Sequence, residues 1–221
     1  MQTYPTTTPV SAVVDVPAGR LTFIAADRAD TTVEVRPADA SKSRDVKAAE
    51  QTTVEYADGV LRVTAPDGHR AFGPSGYVEV TVQLPAGSGV EVKAASAPLR
   101  GVGRLGDVVV DTAHGDIKLD EAASARLTTQ AGDIAVGRLT GPGSLSTAKG
   151  DLSVDEAVQG ALDLRTQAGD VTVGVASGVT ASLDAGTTLG RVSNAITNNG
   201  GDVAVAIRAT TTLGDVSAHS R

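Results

Sequence analysis

The chain reads as all-β: a β-solenoid, in the form of a single-stranded β-helix with turns of 17 to 19 residues, preceded by an N-terminal antiparallel β cap region. Three observations predict this. The first is a recurring phrase. Val110-Asp-Thr-Ala-His-Gly-Asp-Ile-Lys-Leu119 is followed by Leu127-Thr-Thr-Gln-Ala-Gly-Asp-Ile-Ala-Val136, Leu145-Ser-Thr-Ala-Lys-Gly-Asp-Leu-Ser-Val154 and Leu164-Arg-Thr-Gln-Ala-Gly-Asp-Val-Thr-Val173. A fixed period of this kind is the mark of stacked supersecondary units. The second is alternation within each unit, Ile134 with Val136, Leu152 with Val154, Val171 with Val173, which is the two-residue period of a half-buried strand. The third is the absence of helical spacing in the repeats. A turn this short cannot hold a propeller blade of roughly 40 residues, but it suits two or three short strands joined by corners.

The Gly-Asp pairs are the expected corners, since glycine accepts positive φ and the aspartate side chain can bond a nearby amide. The pairs are Gly106-Asp107, Gly115-Asp116, Gly132-Asp133, Gly150-Asp151, Gly169-Asp170, Gly201-Asp202 and Gly214-Asp215, and Gly190-Arg191 carries arginine in the Asp slot. From the leading apolar residue to glycine the distance grows from five to seven at Leu183 and at Ile207. A bulged or longer corner is expected there.

The elements before the repeats are strands of irregular spacing. Residues 11–16, 20–25 and 31–36 alternate and are separated by turn residues. Thr53–Ala57, Asp58-Gly59 and Val60–Thr64 form the strongest hairpin signal, because Asp-Gly favours the primed turn that matches strand twist. Lys42 to Gln51 fits an exposed edge or a short helix, and Asp67 to Ser75 a loop. Tyr77 to Leu84 and Gly89 to Ala94 are strands leading into the repeats. All five aromatic residues, Tyr4, Phe23, Tyr56, Phe72 and Tyr77, lie before residue 78. The composition therefore divides the chain into 1–95, a β-rich cap whose large side chains close one exposed end, and 96–221, the repeats.

The phrase Val80-Thr-Val-Gln-Leu-Pro-Ala-Gly87, then Val-Glu-Val, then the serial apolar-x-Thr-x-x-Gly-Asp units, resembles the bacterial family DUF4097, the adhesin-labelled β-strand-repeat family, over residues 10 to 218. The resemblance implies an N-terminal β region running into a single-stranded β-helix, and an adhesin-like role by analogy. Family members are often tied to the envelope.

Composition narrows the function classes. Formal charge is −7, spread evenly along the chain, which argues against nucleic acid, where a basic face is needed. The chain has no cysteine and no run approaching the ~18 apolar residues of a membrane span. It begins with no basic, apolar leader, so as written it is expected to be cytoplasmic, with neither export signal nor anchor; a chain trimmed of such a segment would read the same, and envelope association is the alternative.

Candidate chemistry is thin. A column of the Gly-Asp carboxylates suggests calcium, but the spacing is not that of the nine-residue calcium roll, so backbone-bonded corners are expected and no metal. Gly101-Val-Gly-Arg-Leu-Gly106 matches the dinucleotide fingerprint, yet the next segment is a strand and not a helix; no cofactor is expected. Thr112, Thr129, Thr147 and Thr166 each lie two residues after an apolar position and share its inward or corner-facing side, which argues against an ice-binding face. The three histidines are scattered, and the pairs Asp120-Glu121 and Asp155-Glu156 lack an aromatic sugar platform. The expectation is a non-enzymatic scaffold acting through protein contacts. Either the C-terminal coil near Gly214 to Ala218 is open and pairs with another copy, or a monomer binds a protein or cell-wall glycan on its lateral face. A β-helix carbohydrate-active enzyme is the third option.

Overall fold

The computed structural model describes residues 1–66, 76–198 and 200–221. Strand takes 68% of the chain and helix 4%, so the class is all-β. The chain divides into two compact units, Met1–Gly115 and Asp116–Arg221, and the change of composition near residue 96 lies inside the first.

The first unit holds β1 (Gln2–Pro5), β2 (Ser11–Ala26), β3 (Asp30–Pro37), α1 (Ser43–Gln51), β4 (Thr53–Ala57), β5 (Val60–Thr64), β6 (Val78–Pro85), β7 (Gly89–Ser96) and β8 (Leu99–His114). Its centre is β2, whose Ala12, Val14, Val16, Leu21, Phe23 and Ala25 are buried. The expected antiparallel region is corrected here. The first half of β2 pairs in parallel with β5 and β7, and its second half with β6 and β8. Among the described residues, antiparallel pairing is confined to β1 with β3, β3 with β6, and β4 with β5.

The physical reason lies at Pro17–Gly19, where the chain turns a corner instead of reversing. Gly19 runs so close to the neighbouring strand that an added Cβ would lie 2.5 Å from the Val78 carbonyl oxygen. The hairpin between β4 and β5 is as expected: Asp58 and Gly59 both have positive φ, 51° and 78°, the pairing of signs that a type I′ turn requires. Lys42 to Gln51 resolves as α1, tied down by buried Asp45, whose carboxylate accepts the Tyr77 N–H at 3.0 Å. The loop expected at Asp67 to Ser75, with His69 and Phe72, lies outside the described residues.

The second unit holds β9 (Ile117–Thr128), β10 (Ile134–Leu139), β11 (Gly143–Lys149), β12 (Leu152–Ala157), β13 (Gly160–Ala168), β14 (Val171–Val175), β15 (Ala181–Leu189), β16 (Val192–Ala195), β17 (Val205–Leu213) and β18 (Val216–Ser220). Every pairing among them is parallel. One stack runs β9, β10, β12, β14, β18, β16, and the other β9, β11, β13, β17, β15. In-register columns of apolar residues fill the space inside. Ile117, Ile134, Leu152, Val171 and Val216 make one, and Leu127, Leu145, Leu164 and Ala209 another, all nearly or fully buried. Burying each large aliphatic side chain contributes about 1.5–3 kcal/mol.

The stack does not follow the chain. Residues 205–220 sit between the 160–175 coil and the 181–195 coil, since β17 pairs with both β13 and β15, and β18 with both β14 and β16. The end of the stack is therefore β15 and β16, and the expectation that Gly214 to Ala218 forms the open end is corrected. Composition supplies the reason. Asn194 occupies the column that Leu119, Val136, Val154, Val173 and Ala218 fill elsewhere, and a buried amide without partners would cost about 1–3 kcal/mol. At the end of the stack Asn194 stays exposed.

The longer corners are corrected by the same register. Leu164 aligns with Ala209, which aligns with Ala185. With alanine in the leading slot, Ala209-Thr-Thr-Thr-Leu-Gly214 and Ala185-Gly-Thr-Thr-Leu-Gly190 keep the five-residue distance.

Candidate functional site

At the corners of the second unit, the aspartates form a ladder. Asp116 Oδ1 accepts the N–H of Asp133 at 3.0 Å, Asp133 that of Asp151 at 2.8 Å, and Asp151 that of Asp170 at 2.8 Å. Asp170 then accepts the N–H of Asp215 at 2.7 Å, and Asp215 that of Arg191 at 2.8 Å. Each carboxylate bonds the backbone of the next coil, so the ladder records the true stacking order, 170 to 215 to 191. Arginine can occupy the last rung because that side chain has no further amide to accept.

The glycines beside the rungs are there for clearance. Gly150, Gly169, Gly214 and Gly190 have φ between 142° and 156°. A Cβ on any of them would lie 1.9–2.1 Å from the glycine carbonyl oxygen of the adjacent coil. Those same carbonyls are capped by the buried or half-buried threonines: Thr147 donates to Gly132, Thr166 to Gly150, Thr211 to Gly169 and Thr187 to Gly214, at 2.9–3.2 Å. Of the two sides open to them from sequence, inward or corner-facing, these threonines take a buried one: Thr112, Thr129, Thr147 and Thr166 are all buried.

Of the seven predicted Gly-Asp pairs, five take corner positions: Gly115-Asp116, Gly132-Asp133, Gly150-Asp151, Gly169-Asp170 and Gly214-Asp215. Gly106-Asp107 lies instead inside the continuous strand β8, and so does the whole of Gly101–Gly106, which opens no helix. Gly106 is needed for close approach, because a Cβ there would meet the Gly87 carbonyl oxygen at 2.4 Å. Gly201-Asp202 precedes β17 in an exposed bend with no place on the ladder.

The ladder is structural, and among the described residues no group of three or more His, Asp or Glu side chains is placed to hold a metal ion. Glu156 is engaged with Arg138 at 3.5 Å. His114 is exposed at a corner, and His219 lies on β18 beside Gly174.

Two surfaces of the second unit remain. The first is the end of the stack. Among the described residues β15 pairs with β17 alone and β16 with β18 alone, and Leu189 and Val192 are 65% and 46% exposed. Part of this edge is closed by Asn198, whose side-chain amide bonds both the N–H and the C=O of Ala181 at 2.9 Å. The second surface is a groove of about 480 Å³ on the lateral face, floored by Ala161, Leu162, Ala206 and Ile207 and edged by Asp163, Arg208 and Asp184. Its charges are mutually compensated. Arg165 holds Asp163 at 2.6 Å and keeps that carboxyl below the usual range, and Arg208 lies 3.8 Å from Asp184. Sequence reasoning missed the first surface because it took the coils in chain order, although Arg191 and Asn194 marked it.

The architecture defines an all-β repeat protein, and comparison with known proteins places it. The family model for Toastrack, DUF4097, matches residues 13–221, and the chain belongs to that family. No curated protein matches it. Among solved structures, it is similar to a candidate adhesin from Bacteroides fragilis at 12% identity and TM-score 0.55, covering 98% of this chain and 95% of that one. A candidate cell adhesion protein from Clostridium sporogenes has 11% identity and TM-score 0.39, with 100% and 98% covered. A candidate lipid-binding protein from Parabacteroides distasonis has 13% identity and TM-score 0.38, with 98% and 95% covered. The first speaks for the fold alone, and the other two carry no structural argument. Among the described residues no helix is long and apolar enough to cross a membrane.

Proposed function

We propose that this protein is a non-enzymatic β-solenoid scaffold of adhesin-like kind that acts through protein contacts, with self-association at the open end of its coil stack. The observation that carries the reading is the end coil Ala181–Ala195. Among the described residues its strands have a strand partner on one side only, and its apolar residues Leu189 and Val192 stand exposed. An unpaired strand edge is a template for another strand, and main-chain hydrogen bonds supply affinity in strand addition. The lateral groove supports the alternative, a monomer that holds an extended partner along Ala161, Ala206 and Ser182.

Light scattering across a concentration series decides between them. Association at the end predicts a mass that climbs above one chain and returns to one chain in Ala185→Pro. Proline there removes a donor facing the open side and leaves the bonds to β17 in place. A mass of one chain at every concentration overturns the self-association reading and leaves the groove.

A further inference from the structure

The open edge has a definite phase. Ala181 turns its N–H and C=O outward to Asn198, and backbone direction alternates along a strand, so Leu183, Ala185 and Thr187 also face outward. Leu189 ends the run by turning its carbonyl back to the N–H of Gly214 at 3.0 Å. The usable edge is thus short, with one bound set by Asn198 and the other by Leu189. It carries a single charged residue, Asp184, and no proline or lysine, the residues that blunt natural edges.

Resting on the self-association reading above, we propose that the occupant of this edge is a second copy of the same chain, joined head to head in antiparallel fashion about a two-fold axis through Ala185. In this register Ala185 meets the other Ala185, and Leu183 meets Thr187. All three outward-facing residues are paired in both copies, making about six backbone hydrogen bonds, two at each paired position. The side chains fit without conflict. Asp184, which is exposed, lies opposite Gly186, whose added Cβ would meet nothing within 4 Å, so neither carboxylate faces the other. Ser182 lies opposite Thr188, a hydroxyl pair of the kind that stabilises adjacent strands. A two-fold centred on Asp184 would set like charges directly opposite, and centres nearer Ala181 collide with Asn198. Symmetric pairing is also closed at this edge: each copy's β15 is taken up by the other's, so β15 pairing does not propagate.

The chain has no cysteine among its residues, which makes the register testable by disulfide trapping in the full chain. In the proposed dimer residue 184 of one copy lies opposite 186 of the other, at the non-hydrogen-bonded spacing of about 4.5 Å between Cα atoms, within disulfide reach. Positions 184 and 184, or 186 and 186, lie diagonally, about 8 Å apart, beyond reach. Asp184→Cys and Gly186→Cys are purified separately, then oxidised alone and as a mixture, with light scattering on the same samples. The expected result is a covalent dimer in the mixture in several-fold excess over either variant alone. Association without this cross-link, or equal cross-linking of each variant alone, overturns the register while the scaffold reading stands. A mass of one chain in wild type and variants overturns the register and the self-association reading together.

Discussion

Truncating one rung of the aspartate ladder separates its two opposing contributions. Asp151→Ala removes the acceptor for the Asp170 N–H, a 2.8 Å bond. A hydrogen bond to a charged group contributes about 1.5–3 kcal/mol, and the lower end applies, because the rung is exposed and the freed N–H reaches water. Against that stands repulsion. Successive rungs are one strand spacing apart, about 4.8 Å, which at 0.1 M salt gives about 0.5 kcal/mol for each neighbouring carboxylate. Asp151 has two such neighbours, Asp133 and Asp170, and Asp215 has one, Asp170.

The expected cost is therefore about 0.5–1 kcal/mol for Asp151→Ala and about 1–1.5 kcal/mol for Asp215→Ala. Urea denaturation monitored by circular dichroism measures both. In 1 M salt the repulsion is screened, and the cost of Asp151→Ala should rise to about 1.5 kcal/mol, the reverse of what salt does to an ordinary ion pair. Arg191→Ala, at a rung that accepts nothing, should stay within about 0.5 kcal/mol. A cost for Asp151→Ala that falls with salt, or equal costs at 191 and 215, would refute the ladder as the determinant of coil order.

Two further perturbations probe the second unit. Gly169→Ala forces a Cβ to 2.0 Å from the Gly150 carbonyl oxygen at φ 149°, so it should destabilise by about 3 kcal/mol or more in the same urea assay; a loss under about 1 kcal/mol would contradict the clearance argument. Asp163 should titrate below 3.8, because the Arg165 guanidinium hydrogen-bonds its carboxylate. A lowered folded pKa means the contribution is present above the unfolded value and is lost as pH falls through the lowered one. Arg165→Ala should return the carboxyl resonance, monitored by NMR, towards the ordinary range, and an unchanged midpoint would count against that pairing.

What was legible in the sequence is the unit; what was not is the order of units. Period, alternation and turn residues are local, and they place Asp58-Gly59 at its hairpin, the threonines inside and five Gly-Asp pairs at corners. Stacking order is decided by contacts between coils that no local pattern records. Two residues did carry that information. Arg191 cannot accept a backbone N–H, and Asn194 cannot replace Val154 or Val173 inside the stack, so their coil belongs at an end. Gly106-Asp107 misled because the dipeptide suits any tight approach as well as a corner, and Gly106 serves the former. In the first unit, Pro17 to Gly19 has turn composition, but the direction of a turn depends on which strands lie alongside.

The exchanged position of residues 205–220 has a consequence in time. A stack built in chain order can grow as the chain leaves the ribosome, each new coil settling on a finished one. Here residues 181–195 are made before the coil on which they rest. At synthesis rates of ~5–20 residues per second, the interval between Ala195 and Ser220 is about 1–5 s. During it, the final neighbour of residues 160–175 is not yet made, and residues 181–195 can reach their final place only once residues 205–220 are present.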